Sequence, residues 1–138
     1  MYKIKLLFIP VIFLISLQSA AANDHSEIQQ VIQKYFDGTS QGKPELVEQA
    51  FMPSLEIQYI RDGEFRRISG PDYIAKIKKG IPVDRRGRIM SIDIAGDTAA
   101  AKLIIDYKDQ YIFTDYILLL KLKNGWKISN KIANRRDK

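Results

Sequence analysis

Residues 92–132, IDIAGDTAAAKLIIDYKDQYIFTDYILLLKLKNGWKISNKI, decide the fold of this 138-residue chain. Apolar residues recur at alternate positions, and turn signals break the run at Asp97, at Asp109 and at the Asn124-Gly125 pair. A period of two is that of a strand with one buried face. Asn-Gly between apolar runs marks a hairpin, because a type I′ turn needs positive φ at both central residues. The stretch predicts four consecutive antiparallel strands. A long curved meander behind helical segments wraps around a pocket, so the chain is a candidate cup for a small molecule.

The alternation assigns faces. Met90, Ile92 and Ile94 alternate with polar neighbours, and Ala99, Ala101, Leu103, Ile105 and Tyr107 form an apolar face opposite Lys102, Asp106 and Lys108. The run from Tyr111 to Leu122 is apolar on both faces between Ile117 and Leu120. Such a strand is either central and covered twice, or its outer face is buried in a dimer. In the last strand Trp126, Ile128, Asn130 and Ile132 are expected to look inward, with Lys127, Ser129 and Lys131 on the other side.

The preceding half is helical. Ser26 with Gln29 matches a capping box, and Ile28, Val31, Ile32, Tyr35 and Phe36 form one stripe, predicting a helix from about Ser26 to Asp37 with Gly38 ending it. Pro44 opens a short helix that buries Leu46, Val47, Ala50 and Phe51 and closes at Pro53. Leu55 to Ile60 and Glu64 to Ser69 flank Asp62-Gly63, a second hairpin signal. Leu55, Ile57 and Tyr59 share its inward face. Gly70-Pro71 starts a third helix lined by Tyr73, Ile74 and Ile77 and ended by Gly80. Pro82, Gly87 and three arginines make residues 81–88 read as a loop.

Lys3 and Lys5, an apolar run from Leu6 to Leu17, and Ala20-Ala21-Ala22 have the layout of a cleavable export signal. A membrane span needs about 20 apolar residues, more than this run supplies. Cleavage after Ala22 predicts a mature domain from Asn23 to Lys138, periplasmic or secreted. Lys3 and Lys5 are two of 22 basic residues, so the remainder carries 20 against 16 acidic ones. Lys76, Lys78, Lys79, Arg85, Arg86 and Arg88 cluster, as do Lys131, Arg135, Arg136 and Lys138. These clusters read as solvated faces, with contact to an anionic surface through the first of them left open. Export argues against nucleic acid. There is no cysteine, hence no disulfide, no thiolate metal site and no lipid-acceptor thiol. A single domain of this length buries enough surface to stand on its own core.

Helix, short helix, hairpin, helix and four-stranded meander is the element order of the nuclear-transport-factor-2-like superfamily, which this chain resembles. GDTAAAKL at Gly96 to Leu103, FTDYILLLK at Phe113 to Lys121 and NGWKISNKI at Asn124 to Ile132 are similar to its putative lumazine-binding branch. The resemblance implies an α+β cone of curved antiparallel sheet closed by three helices. It implies a ligand as well, flavin-like heterocycles being one option. The superfamily includes ketosteroid isomerases, SnoaL-type cyclases, dehydratases and non-enzymatic binding or adaptor domains. Its enzymes usually carry aspartate, histidine or tyrosine inside the cone. Here the only histidine, His25, lies beside the expected cleavage position, and the last strand offers Asn130 and Ile132 where relatives often show histidine.

Several residues are candidates for the site. Asp115 lies between Phe113 and Ile117 on an apolar strand face, where a carboxylate is desolvated and its pKa rises unless a cation or donors meet it. It is a candidate general base, or a structural aspartate paired with Lys131 or Arg66. Asn130 offers an amide to a ligand carbonyl. Tyr35, Tyr59, Tyr73 and Tyr107 supply rings that can stack on a flat ligand. Trp126 is expected against the first helix, and Asp106 and Asp109 at solvated turns. No metal-ligand spacing, phosphate loop or nucleophile elbow appears, so no metal or cofactor is expected. Three functions remain. The first is an exported, homodimeric, non-catalytic binder of an apolar or aromatic molecule. The second is a proton-transfer enzyme, an isomerase or cyclase using Asp115 and a tyrosine hydroxyl. The third is a dimeric adaptor with a filled cone.

Overall fold

The computed structural model describes residues 12–138, with side chains from residue 20 onward. The basic residues and first part of the apolar run of the expected export signal lie outside the described residues. Three helices and six strands follow in the order α1 (Ile12–Ser40), α2 (Pro44–Ala50), β1 (Phe51–Arg61), β2 (Glu64–Ser69), α3 (Gly70–Ala75), β3 (Arg85–Ala95), β4 (Thr98–Tyr107), β5 (Tyr111–Leu122) and β6 (Gly125–Asp137). No helix among the described residues is long and apolar enough to cross a membrane.

The expected meander is β3 to β6, each strand antiparallel to the next. The strands form one open curved sheet in the order β2-β1-β6-β5-β4-β3. The sheet is mixed, because β1 runs parallel to β6 while every other pair is antiparallel. After the β1–β2 hairpin the chain crosses with α3 to the far edge, and the returning meander brings β6 alongside β1. The fold is the expected α+β arrangement of three helices on a curved sheet.

Local chemistry explains most boundaries. Asp62 and Gly63 both have positive φ, 54° and 78°, as a type I′ hairpin turn requires. Ser69 caps α3 by accepting from the Asp72 N–H at 3.1 Å. The β5–β6 turn differs from expectation: Leu122 pairs with Gly125, the turn centre is Lys123-Asn124, and Gly125 rather than Asn124 has positive φ. α1 continues past Gly38 to Ser40. Gly38 serves a close approach instead, since a Cβ there would lie 2.5 Å from the Val47 side chain. Phe51 and Pro53 belong to β1, not to the second helix, though Phe51 is buried as expected.

Two further corrections shape the site. Residues Arg85 to Arg88 are strand, not loop: β4 runs to Tyr107, and Arg85 pairs with it. Gly87 sits inside that strand because a Cβ would lie 2.3 Å from the Phe36 ring, so the residue marks where α1 presses on the sheet. The second correction concerns β6. A register shift leaves Ser129 unpaired between Ile128, opposite Leu119, and Asn130, opposite Leu118. One extra residue reverses the alternation. Trp126 and Ile128 look inward as expected, but beyond the bulge Lys131 and Ala133 do so, while Asn130 and Ile132 face away. A similar shift at Met90 turns that side chain outward, with Ile89, Ile92 and Ile94 packed against the core.

The core lies between the concave sheet face and the helices. Ile28, Ile32, Tyr35 and Phe36 of α1 and Val47 of α2 meet Leu103, Ile117, Leu119, Trp126 and Ile128, all buried. Trp126 donates its ring N–H to Asp24 at 3.0 Å, tying β6 to α1. β5 is covered on one side only. Its inner residues Ile117 and Leu119 are buried, while Tyr116, Leu118, Leu120 and Leu122 are exposed on the convex face beside Ile132.

Candidate ligand-binding site

The apolar core fills one end of the cone. The other end is a cavity of about 610 Å³, within the usual size range for small-molecule sites. It opens between the β1–β2 turn, the β4–β5 turn and the end of β6, and α3 flanks it with Tyr73 and Lys76. A cavity of this size counts against a cone filled by its own side chains. Tyr35, Tyr59, Tyr73 and Tyr107 all line the cavity, so four of the six expected ligand residues converge there. Tyr111, Phe113, Arg85 and Lys131 line it as well.

Asp115 and Asn130 do not line it. Asn130 stands on the convex face because of the bulge at Ser129. Asp115 points inward and is wholly buried, but it lies behind two lining residues. Lys131 Nζ donates to Asp115 Oδ2 at 2.7 Å and to the Tyr35 hydroxyl oxygen at 2.8 Å. The Tyr35 hydroxyl donates to the same carboxylate oxygen at 3.3 Å. Of the two partners expected for a paired aspartate, Lys131 is the one present; Arg66 pairs with Glu64 instead. Asp115 Oδ1 is buried without a hydrogen-bond partner, so the carboxylate is held from one side only.

Electrostatics follow from this packing. Burial disfavours the Lys131 ammonium, yet the Tyr35 oxygen and the Asp115 carboxylate outweigh it and lift Lys131 above the ordinary lysine range. Burial raises the Tyr35 phenol, against the opposing charge of Lys131. Burial also raises Tyr107, opposed by Arg85. At Tyr73 burial again works against ionisation, but Lys131 and Arg85 prevail and bring the phenol below its ordinary value. Arg85 stays a guanidinium: burial disfavours its charge, and the oxygens of Tyr35, Tyr73 and Tyr107 around it favour it.

Arg85 does not belong to the exposed basic cluster in which the sequence placed it. It is buried, donates to the Tyr107 hydroxyl at 3.0 Å, and holds its guanidinium carbon 5.0 Å from the Tyr107 ring centre and 5.5 Å from that of Tyr35. Lys78, Lys79, Arg86 and Arg88 remain exposed, while Lys76 reaches the cavity edge. The sequence signal for Arg85 was the length of β4: a strand running to Tyr107 requires a partner equally long. Among the described residues no group of three His, Asp or Glu side chains is placed to hold a metal ion. The arrangement can enclose a flat molecule between tyrosine rings and set cations against it. Asp115 Oδ2 is engaged by Lys131 and Tyr35.

Residues 23–132 match the family described as putative lumazine-binding. The fold is similar to that of an NTF2-like protein of unknown function from Silicibacter pomeroyi DSS-3, at TM-score 0.75 and 19% identity, covering 84% of this chain and 98% of that one. It is also similar to an NTF2-like protein of unknown function from Methylobacillus flagellatus KT, at TM-score 0.73 and 26% identity, covering 83% and 93% respectively. An NTF2-like protein with a cystatin-like fold from Novosphingobium aromaticivorans aligns at TM-score 0.67 and 12% identity, over 91% of this chain and 90% of that one. No curated protein matches.

Proposed function

This chain belongs to the putative lumazine-binding family of NTF2-like proteins, and from that premise we propose that it is an exported, homodimeric protein that holds a small aromatic molecule in its cone without catalysis. The observation that carries this reading is the cavity of about 610 Å³ walled by tyrosines. Aromatic rings at a concave site favour a flat partner, and the heterocycle in the family description fits that shape. The non-catalytic part rests on Asp115, whose placement behind Lys131 and Tyr35 keeps it from substrate.

Export is supported by the charge and hydropathy pattern of residues 1–22 and by the family match, which begins at Asn23. A homodimer is supported by the convex face. Leu118 is 54% exposed and Ile132 50%, with Tyr116 and Leu120 beside them, a contiguous apolar surface of the kind that marks an interface. Leu118→Lys is expected to convert a dimer to monomer in sedimentation analysis while leaving the fold intact.

Native mass spectrometry of protein purified gently from its own compartment tests the binding function. A reproducible small-molecule adduct is expected on the parent and not on Ala133→Trp, which fills the cavity wall. Ligand-free masses for both proteins, each at the value of its own sequence, count against a carrier and favour the adaptor.

A further inference from the structure

Buried cations in folded proteins are paired, because an unmatched charge away from water is strongly disfavoured. Lys131 obeys this rule through Asp115. Arg85 does not. It is 8% exposed and lines the cavity, and among the described residues no carboxylate lies within ion-pair distance of it. Its partners are phenol oxygens: it donates to the Tyr107 hydroxyl, and those of Tyr73 and Tyr35 also face it. The rings of Tyr35 and Tyr107 meet it at 5.5 and 5.0 Å, contacts that attenuate the charge and do not neutralise it. The cavity floor thus has two cations, Arg85 and Lys131, and one carboxylate behind them. It is one negative charge short. The same two cations hold the Tyr73 phenol below its ordinary value.

A planar guanidinium matches a carboxylate two bonds at a time. We propose that Arg85 is the anion-recognising residue of this cavity, taking the carboxylate of a flat organic acid whose apolar body lies among Ile57, Tyr59, Tyr107 and Phe113. The proposal rests on the reading of the cavity as a ligand site and adds the charge of what enters. A monoanion balances the floor, whereas a neutral ligand of equal shape leaves Arg85 unmatched.

Naphthoate and the corresponding neutral naphthamide, compared by titration calorimetry on the full folded protein, separate the two readings. The parent is expected to bind naphthoate about tenfold or more tightly than the amide, since a hydrogen bond to a charged group carries that much. Arg85→Met is expected to lose this preference while still binding naphthamide. Arg85→Lys keeps the charge and loses the fork, and is expected to weaken naphthoate several-fold more than naphthamide. Equal binding of both probes by the parent overturns the anion site and leaves the aromatic pocket standing. Binding of neither overturns both. An equal loss of both probes in Arg85→Lys makes Arg85 a structural residue and overturns the proposal.

Discussion

The two ends of the cone are built from the same strands and do opposite things. At the closed end Ala99, Ala101, Leu119, Trp126 and Ile128 are buried in one core with Ile28 and Ile32 of α1. At the open end Tyr107, Phe113, Lys131 and Ala133 of the same strands line a cavity. The division falls at the unpaired Ser129. On the closed side of the bulge β6 contributes two large apolar residues; on the open side it contributes a lysine, an alanine and an arginine. A strand without the bulge would put Asn130 and Ile132 inward, and the floor of the cavity would have no Lys131 to meet Asp115. One irregular residue therefore separates the apolar core from the part available for binding.

The largest expected effect comes from breaking the open end at its buried ion pair. Asp115→Ala leaves Lys131 buried without its carboxylate and is expected to cost about 3–5 kcal/mol in denaturant unfolding, as single-partner deletions of buried pairs do. Replacing both, as Asp115→Leu with Lys131→Met, is expected to restore much of that loss. A smaller contrast comes from side-chain truncation at each end. Ile128→Ala removes a wholly buried side chain and is expected to cost about 2–5 kcal/mol. Phe113→Ala enlarges a cavity already open to water and should cost less than half as much by the same measurement. Equal losses would erase the distinction between the ends.

Titration sharpens the comparison further. In a spectrophotometric titration of phenol ionisation, Tyr73 is expected to ionise below the ordinary tyrosine range and Tyr35 and Tyr107 above it. Tyr73→Phe should remove the earliest phase. The sign for stability follows: the lowered Tyr73 contributes in full above the ordinary tyrosine pKa, and that contribution is lost as pH falls through its lowered value. The smallest effect belongs to the closed end. Asp24 is held below the ordinary carboxylate range by hydrogen bonds from Lys121 and Trp126. Its contribution is present above the ordinary aspartate pKa and lost as pH falls through the lowered one. A small shift in Trp126 fluorescence over that acidic window, absent in Asp24→Asn, is expected.

Much of this contrast was legible in the residues. Asp62-Gly63 fixed a hairpin because two adjacent positive φ angles are needed there, and alternation assigned the face of β4 from Ala99 to Tyr107 and the shared face of Phe113, Asp115 and Ile117 in β5 correctly. The four cavity tyrosines followed from those faces and from the helical stripes. What was not legible shares one physical cause. A bulge leaves no mark in hydropathy, since Ser129 is an ordinary polar residue whose hydroxyl donates to the Leu118 carbonyl at 3.1 Å. Counting by twos through it placed Asn130 inside and Lys131 outside. Arg85 was hidden differently. Gly87 and neighbouring arginines look like loop, but the glycine is there because Phe36 lies against the strand, and the charge is inside because β4 is long. Such contacts are set by tertiary packing, which a local pattern does not contain.

The inversion of β6 beyond Ser129 underlies both the cavity floor and the placement of Asp115, and lysine acylation mapped by peptide mass spectrometry tests it directly. Lys131 is 5% exposed and tied to Asp115 and Tyr35, whereas Lys123 stands exposed at the β5–β6 turn. Lys123 is expected to react readily and Lys131 to stay unmodified until the protein is unfolded. Labelling of both at the same rate in the folded protein would put Lys131 on the convex face and contradict the inverted strand.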